Sequence, residues 1–247
     1  MTTSITTKFN DLRLRGMSRR WEALIETRQH QDLTLSEGLE ILLQEEKLDR
    51  EQRRFDRLRK NAKFRYQASI EEVRIEASRG IDKAIITSMA TGNYIRNGES
   101  IIITGASGCG KSFIASALGH HACAQGFTTA YFNMQKLTKK LKIARLEGTL
   151  LSFLMKLEKI RLLILDDFGL THLEKQQQLD LMEIIEDRHA RHSTIIASQL
   201  PVASWFDIIG EPTIADAILD RLVHTSHRIE LKGESLRKNS NIVSINA

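Results

Sequence analysis

Phe9, Leu12, Leu14, Met17, Trp21, Leu24 and Ile25 recur roughly every three to four residues, the spacing of one face of an amphipathic helix. Thr34 and Glu37 have capping-box spacing, and Leu39, Ile41, Leu42 and Leu43 follow as an apolar stripe. This second helix is expected to run to about residue 60. A further helical stretch, SIEEVRIEASRGIDKAIITSM, leads toward Gly92. Near residue 98 the pattern changes. Apolar strands at 100–105, 128–133, 161–166, 193–198 and 227–231 alternate with helical segments at 111–125, 134–157, 174–191 and 214–224. Such alternation predicts an α/β fold with a parallel sheet covered on both faces. The expected organisation is a small all-α domain over residues 1–66 and an α/β domain over 67–247.

Composition narrows the classes. The 247 residues, 41% of them hydrophobic, suffice for one large core with a small companion. Apolar runs of about four residues fall far short of the ~20 that span a bilayer. The N-terminus lacks an apolar signal region, so a cytoplasmic protein without membrane contact is expected. Cys109 and Cys123 have no C-x-x-C spacing and suggest no disulfide framework. His120 and His121 read as helix residues rather than metal ligands. The net charge of +5 is local. REQRRFDRLRKNAKFR (50–65) sets eight Lys and Arg against Glu51 and Asp56, a surplus of six, and leaves the rest of the chain near neutral.

The chemistry begins at GASGCGKS (105–112), which fits G-x-x-x-x-G-K-[ST] between a strand and a helix. Gly105, Gly108 and Gly110 let the backbone turn tightly around phosphate oxygens, with Ala106, Ser107 and Cys109 at the variable positions. The following helix, over 111–125, adds its positive end, and Phe113 in its first turn is a further candidate cofactor-binding residue. Lys111 is expected to reach the β- and γ-phosphates of ATP, and Ser112 to ligate Mg²⁺.

LLILDDFG (162–169) supplies the counterpart. Asp166, at the end of an apolar strand, is expected to hold Mg²⁺ opposite Ser112, and Asp167 to orient the attacking water. Aspartate is one methylene shorter than glutamate, so slow turnover is expected. STIIASQLP (193–201) is a strand ending in polar residues, where Ser198 or Gln199 could sense the γ-phosphate. Arg221, within ADAILDRLVH (215–224), is either an ordinary surface arginine or an arginine finger for a neighbouring subunit.

These segments together resemble the P-loop AAA+ ATPases of the helicase-loader and initiator clade. More specifically, IEDRHARHSTIIASQLPVASW, EPTIADAILDRLVH and RIELKGESLRK are similar to the IstB-type insertion-sequence ATP-binding proteins. The likeness covers nearly the whole chain and is most specific over 183–238. It implies a helical N-terminal domain before a five-stranded parallel AAA+ core, ATP-dependent assembly into a ring or spiral homo-oligomer on duplex DNA, and a cognate transposase as partner. It also implies Ser198 as sensor 1, Arg221 as the finger and Arg237 as a sensor-2 arginine. About ten residues follow Arg237, so no C-terminal lid domain is expected.

For DNA, Arg53, Arg54, Arg57, Arg59, Lys60 and Lys63 interleave with aromatics, and Lys136, Lys139, Lys140 and Arg145 form a second cluster. Such blocks neutralise phosphates and carry no base-reading signature, so little sequence specificity is expected. The alternative to a transposition factor is a replicative helicase loader. From other classes, a small-molecule P-loop kinase would leave Arg221 and the basic block without work, and a passive DNA-architectural protein would bind ATP without turning it over.

Overall fold

The computed structural model describes residues 2–224, 226–233 and 236. The chain divides into two compact units, Met1–Arg57 and Leu58–Ala247. The division falls before the expected boundary at 66 because Phe64 and Tyr66 pack against the core of the second unit, and Leu58 and Ala62 are buried.

In the first unit, α1 (Thr2–Asp11) and α2 (Arg15–Glu26) replace the single helix expected across this stretch. The chain breaks at Arg13, whose φ of 60° is left-handed and ends a right-handed helix. The long α3 (Leu35–Ala62) starts at the expected capping box. The Glu37 carboxylate accepts from the Thr34 amide at 2.9 Å and its hydroxyl at 2.7 Å, and the Glu37 amide donates back to Thr34 Oγ1 at 3.3 Å. Met17, Leu24 and Leu42 form a small core. Leu14, at the N-cap of α2, offers no side-chain acceptor. Glu46 of α3 takes that role, accepting from the amides of Gly16 at 2.8 Å and Met17 at 3.4 Å. Burial alone would raise the Glu46 pKa, but Arg50 and these two amides hold it below the usual carboxylate range. Gly16 is required at the crossing, since a Cβ there would lie 2.6 Å from the Glu45 carbonyl oxygen.

The second unit continues through α4 (Lys83–Ala90), α5 (Asn93–Asn97), β1 (Ser100–Gly105), α6 (Lys111–Ala124), β2 (Thr129–Asn133), α7 (Met134–Leu146), α8 (Leu150–Glu158), β3 (Leu162–Phe168), α9 (Lys175–Arg188), β4 (Ser193–Ser198), α10 (Trp205–Ile209), α11 (Pro212–Val223) and β5 (Ser226–Leu231). The strands are parallel, in the order β2-β3-β4-β1-β5. Alternate side chains serve opposite faces. Ile101, Ile103, Leu162, Ile164 and Ile195 pack with Ile114 and Leu118 of α6. Ile102, Leu163, Leu165 and Ile196 pack with residues of α7 to α11. Burial on both faces is why these strands read as unbroken apolar runs.

Two helical expectations are corrected. Over 69–89 the chain is helical only in a short 3-10 turn, Ala77–Arg79, and in α4. Gly80 (φ 76°) passes so close to β5 that a Cβ would sit 2.1 Å from the Glu230 carbonyl oxygen, and the Lys232 amide donates to Arg79 O at 2.9 Å. A strap pinned beside a strand in this way cannot continue as a helix. The segment 134–157 is likewise two helices, α7 and α8, separated at Gly148 with φ 69°.

Candidate nucleotide site

The loop from Gly105 to Ser112 joins β1 to α6. Gly108 and Gly110 have φ of 82° and 103°, which an L side chain rarely adopts. Lys111 is buried, and its ammonium donates to the carbonyl oxygens of Gly105 and Ala106, each at 2.8 Å. Arg79 holds the loop from outside, donating through Nη2 to Cys109 O at 2.8 Å. Nothing in the local pattern marks Arg79, because its stretch reads as helix. His120 and His121 lie on α6 and bond the backbone oxygens of Tyr66 and Ala90.

Across β4 from this loop, β3 carries a bulge. Leu165 pairs with Ile196 and Phe168 with Ser198, so β3 takes three steps where β4 takes two. Asp167 sits in the irregularity with φ 57°. Consecutive residues of a regular strand face opposite sides, and a bulge re-aims them. Here both carboxylates accept from one guanidinium, Arg65 Nη1, at 3.3 Å for Asp166 Oδ2 and 3.1 Å for Asp167 Oδ2. Asp166 is fully buried. Its Oδ1 accepts from Ser112 Oγ at 3.0 Å, and its Oδ2 from the Tyr131 hydroxyl. Burial and then the hydrogen bond to Asp166 raise the Tyr131 pKa, keeping that phenol a donor. Asp167 Oδ2 also accepts from Asn133 Nδ2 at 2.7 Å. The left-handed conformation favours aspartate over glutamate at this position. Arg65, Tyr131 and Asn133 carry no local sign of a site role in the sequence, since only the register of β2 against β3 brings the last two beside the carboxylates.

A cavity of about 460 Å³ opens on this arrangement, lined by Ser107, Gly108, Lys111, Ser112, Asp167, Gln199 and Arg65. A second, about 240 Å³, is largely apolar, with Val73, Ile81, Phe113 and Ile114 among its lining and Arg79 at its wall. Gly110, Phe113 and Leu236 border both. Among the described residues no three His, Cys, Asp or Glu side chains cluster as a metal cage. Ser112 Oγ and Asp166 Oδ1 nevertheless fit Mg²⁺, which takes one or two protein oxygens and completes its shell with phosphates and water.

The remaining expected residues are placed less uniformly. Ser198 is buried, donating from Oγ to Phe168 O at 2.8 Å and accepting from the Leu200 amide at 3.1 Å. Its hydroxyl is thus engaged within the fold, and Gln199 reaches the cavity instead. Arg221, on α11, pairs with Glu186 of α9 at 2.5 Å and donates to Ala217 O at 2.9 Å. It lines a separate open cavity of about 750 Å³ with Val202, Thr213, Asp220 and His224. Arg237 lies outside the described residues.

The basic clusters are partly engaged. Arg53 pairs with Asp49 at 2.7 Å, and Arg59 reaches Gln67 at 3.4 Å. Lys140 lies 4.7 Å from the Phe153 ring centroid, and Arg145 pairs with Asp180 at 2.5 Å. Arg54, Arg57, Lys60, Lys63, Lys136 and Lys139 are exposed. Among the described residues no helix is long and apolar enough to cross a membrane.

The strand order, the phosphate loop after β1 and the carboxylates ending β3 define a P-loop AAA+ fold with an ATP-binding site. The chain belongs to the IstB-like ATP binding protein family, whose model matches residues 7–244. A Sinorhizobium fredii protein named as an insertion-sequence ATP-binding protein is 44% identical over 232 residues, covering 94% of this chain and 95% of that protein. The protein so named in insertion sequence IS21 of Pseudomonas aeruginosa is 30% identical over 226 residues, covering 92% and 85%. Among solved structures, the DnaC helicase loader aligns with a TM-score of 0.55 at 20% identity, over 68% of this chain and 98% of its own. DnaI aligns at 0.56 and 18% identity, over 67% and 92%. At these identities the likeness to the loaders is one of fold.

Proposed function

We propose that this protein is a cytoplasmic, magnesium-dependent ATPase that multimerises on duplex DNA and assists a cognate transposase in inserting its element. The observation that carries the nucleotide chemistry is the 3.0 Å hydrogen bond from Ser112 to Asp166 beside Lys111. Ser112 and Asp166 would hold Mg²⁺, which would supply charge neutralisation for the phosphates. The apolar cavity beyond Gly110 suits the adenine base, and the larger one the phosphates. In this reading Asp167 orients the attacking water, Gln199 contacts the γ-phosphate, and Arg221 acts on the nucleotide of a neighbouring copy after leaving Glu186. Duplex DNA is held without strong sequence preference by the exposed cations of α3 and α7. The family's insertion-sequence relatives favour the transposase as partner.

The fold shared with DnaC and DnaI keeps a second reading, a helicase loader. Pull-down with the transposase of the same element and with a replicative helicase separates the two. ATP-dependent retention of the transposase is expected, and retention of the helicase alone contradicts the proposal.

A further inference from the structure

Arg65 is held over the site by its neighbours. Helix α3 ends at Ala62, and Lys63 turns the chain with φ 57°. Phe64 then packs on the His120 ring at 4.3 Å, Tyr66 lies 6.3 Å from Phe113, and the Tyr66 carbonyl oxygen bonds His120 Nε2 at 3.1 Å. Aromatic anchors on both sides thus fix the backbone that carries the guanidinium. Arg65 lines the cavity of about 460 Å³ with Lys111 and Ser112, and its side chain keeps 40% exposure, which leaves room to move.

The carboxylates it pairs with are the ones a divalent ion needs. Asp166 faces Ser112 through Oδ1 and Arg65 through Oδ2. Asp166 would hold a divalent cation together with Ser112 while Arg65 occupies its other oxygen, and two cations on one buried carboxylate repel strongly. Phosphate oxygens entering the same cavity offer Arg65 an alternative partner of the geometry guanidinium prefers.

We infer that Arg65 is a positioning residue that competes with Mg²⁺ for Asp166 and Asp167, and that it transfers to the nucleotide's phosphates when the metal binds. This rests on the nucleotide reading above and deepens it. Arg65 holds the aspartates in place between turnovers and sets the magnesium concentration at which the site loads. Nucleotide loading and the segment that follows α3 are coupled by the same exchange.

The test uses full-length wild type, Arg65→Gln and Arg65→Lys, at constant ionic strength. Binding of a fluorescent, non-hydrolysable adenine nucleotide is titrated with Mg²⁺, and melting temperature is followed with Mg²⁺ alone. Arg65→Gln is expected to lower the magnesium midpoint by about five-fold or more, in the range of ordinary coupling between sites. Arg65→Lys, which keeps the charge and loses the fork, falls between. Magnesium alone is expected to raise the melting temperature of Arg65→Gln more than that of wild type. A midpoint unchanged or raised in both variants overturns the inference. If the wild type binds no nucleotide at any magnesium concentration, the proposed function fails instead. The melting shift with magnesium alone then still decides whether Arg65 competes.

Discussion

The Asn133 side-chain amide donates to Asp167 Oδ2 at 2.7 Å while its Oδ1 caps the Lys136 amide of α7 at 3.3 Å. One residue thus joins the Asp167 carboxylate to the helix that carries Lys136 and Lys139. Asn133→Asp keeps the cap and sets a like charge against Asp167. Nucleotide binding is expected to survive with melting near wild type, while hydrolysis falls by roughly ten-fold. Asn133→Ala also loses the cap, at ~1 kcal/mol of stability. Steady-state ATPase assays with thermal melts check both, and unimpaired hydrolysis by Asn133→Asp would remove Asn133 from the site.

Arg221→Ala is expected to bind ATP normally and to lose hydrolysis by about a thousand-fold or more, the scale of an arginine acting in trans. Mixing it with Lys111→Ala protein should restore activity, because each supplies what the other lacks across a shared interface. If Arg221→Ala alone hydrolyses normally, the Glu186 pair is the whole role of this side chain, and if it is inactive and the mixture stays inactive too, the arginine does not act in trans.

Acid should weaken the N-terminal unit through Glu46. Its carboxyl titrates below its ordinary value of 4.5 in the fold. It therefore adds stability above about pH 4.5 that is lost as pH falls through the lower folded value. Glu46→Gln is expected to lower stability at pH 7 by ~1–3 kcal/mol and to flatten the acid limb of the unfolding curve. Hydrogen exchange at Gly16 and Met17 across this range reads the effect locally. Equal acid sensitivity in both proteins would show that other carboxylates govern it.

The two basic clusters differ in how they should respond to substitution. Neutralising Arg57, Lys60 and Lys63 is expected to reduce the log–log salt dependence of duplex binding by up to ~0.9 for each DNA phosphate left without its cation. Lys136 and Lys139 should behave likewise if α7 also touches DNA. Neutralising Lys140 should cost packing against Phe153 more than DNA affinity. A slope unchanged by the substitutions at 57, 60 and 63 would move the main DNA-binding face to α7.

How much of this was legible in the sequence depends on the range of the interactions involved. The phosphate loop was, since its glycines and Lys111 lie in one continuous stretch. So were β1, β3 and β4, because burial on both faces leaves an apolar run, whereas β5 buries only Ile229 and Leu231. The strap at 69–82 was not, because its course is set by the close approach of Gly80 to Glu230, far along the chain. The β3 bulge was also invisible, as it exists only in pairing with β4. It answers why aspartate stands at 167: the backbone there is left-handed, which aspartate tolerates better than glutamate. The strand end leaves Ser198 and Gln199 as alternatives beside a γ-phosphate, and only the fold shows that the Ser198 hydroxyl bonds Phe168 O while Gln199 faces the cavity. Arg65 escapes a sequence reading because, in a run of eight cations, nothing local distinguishes the one that folds back onto Asp166 and Asp167.

Electron microscopy of the protein on duplex DNA, with and without magnesium and ATP, decides whether nucleotide drives assembly. Regular multimers along or around the duplex are expected when magnesium and ATP are present, and none with Lys111→Ala. Assemblies that are the same with and without nucleotide, or that Lys111→Ala forms equally well, would contradict nucleotide-driven assembly.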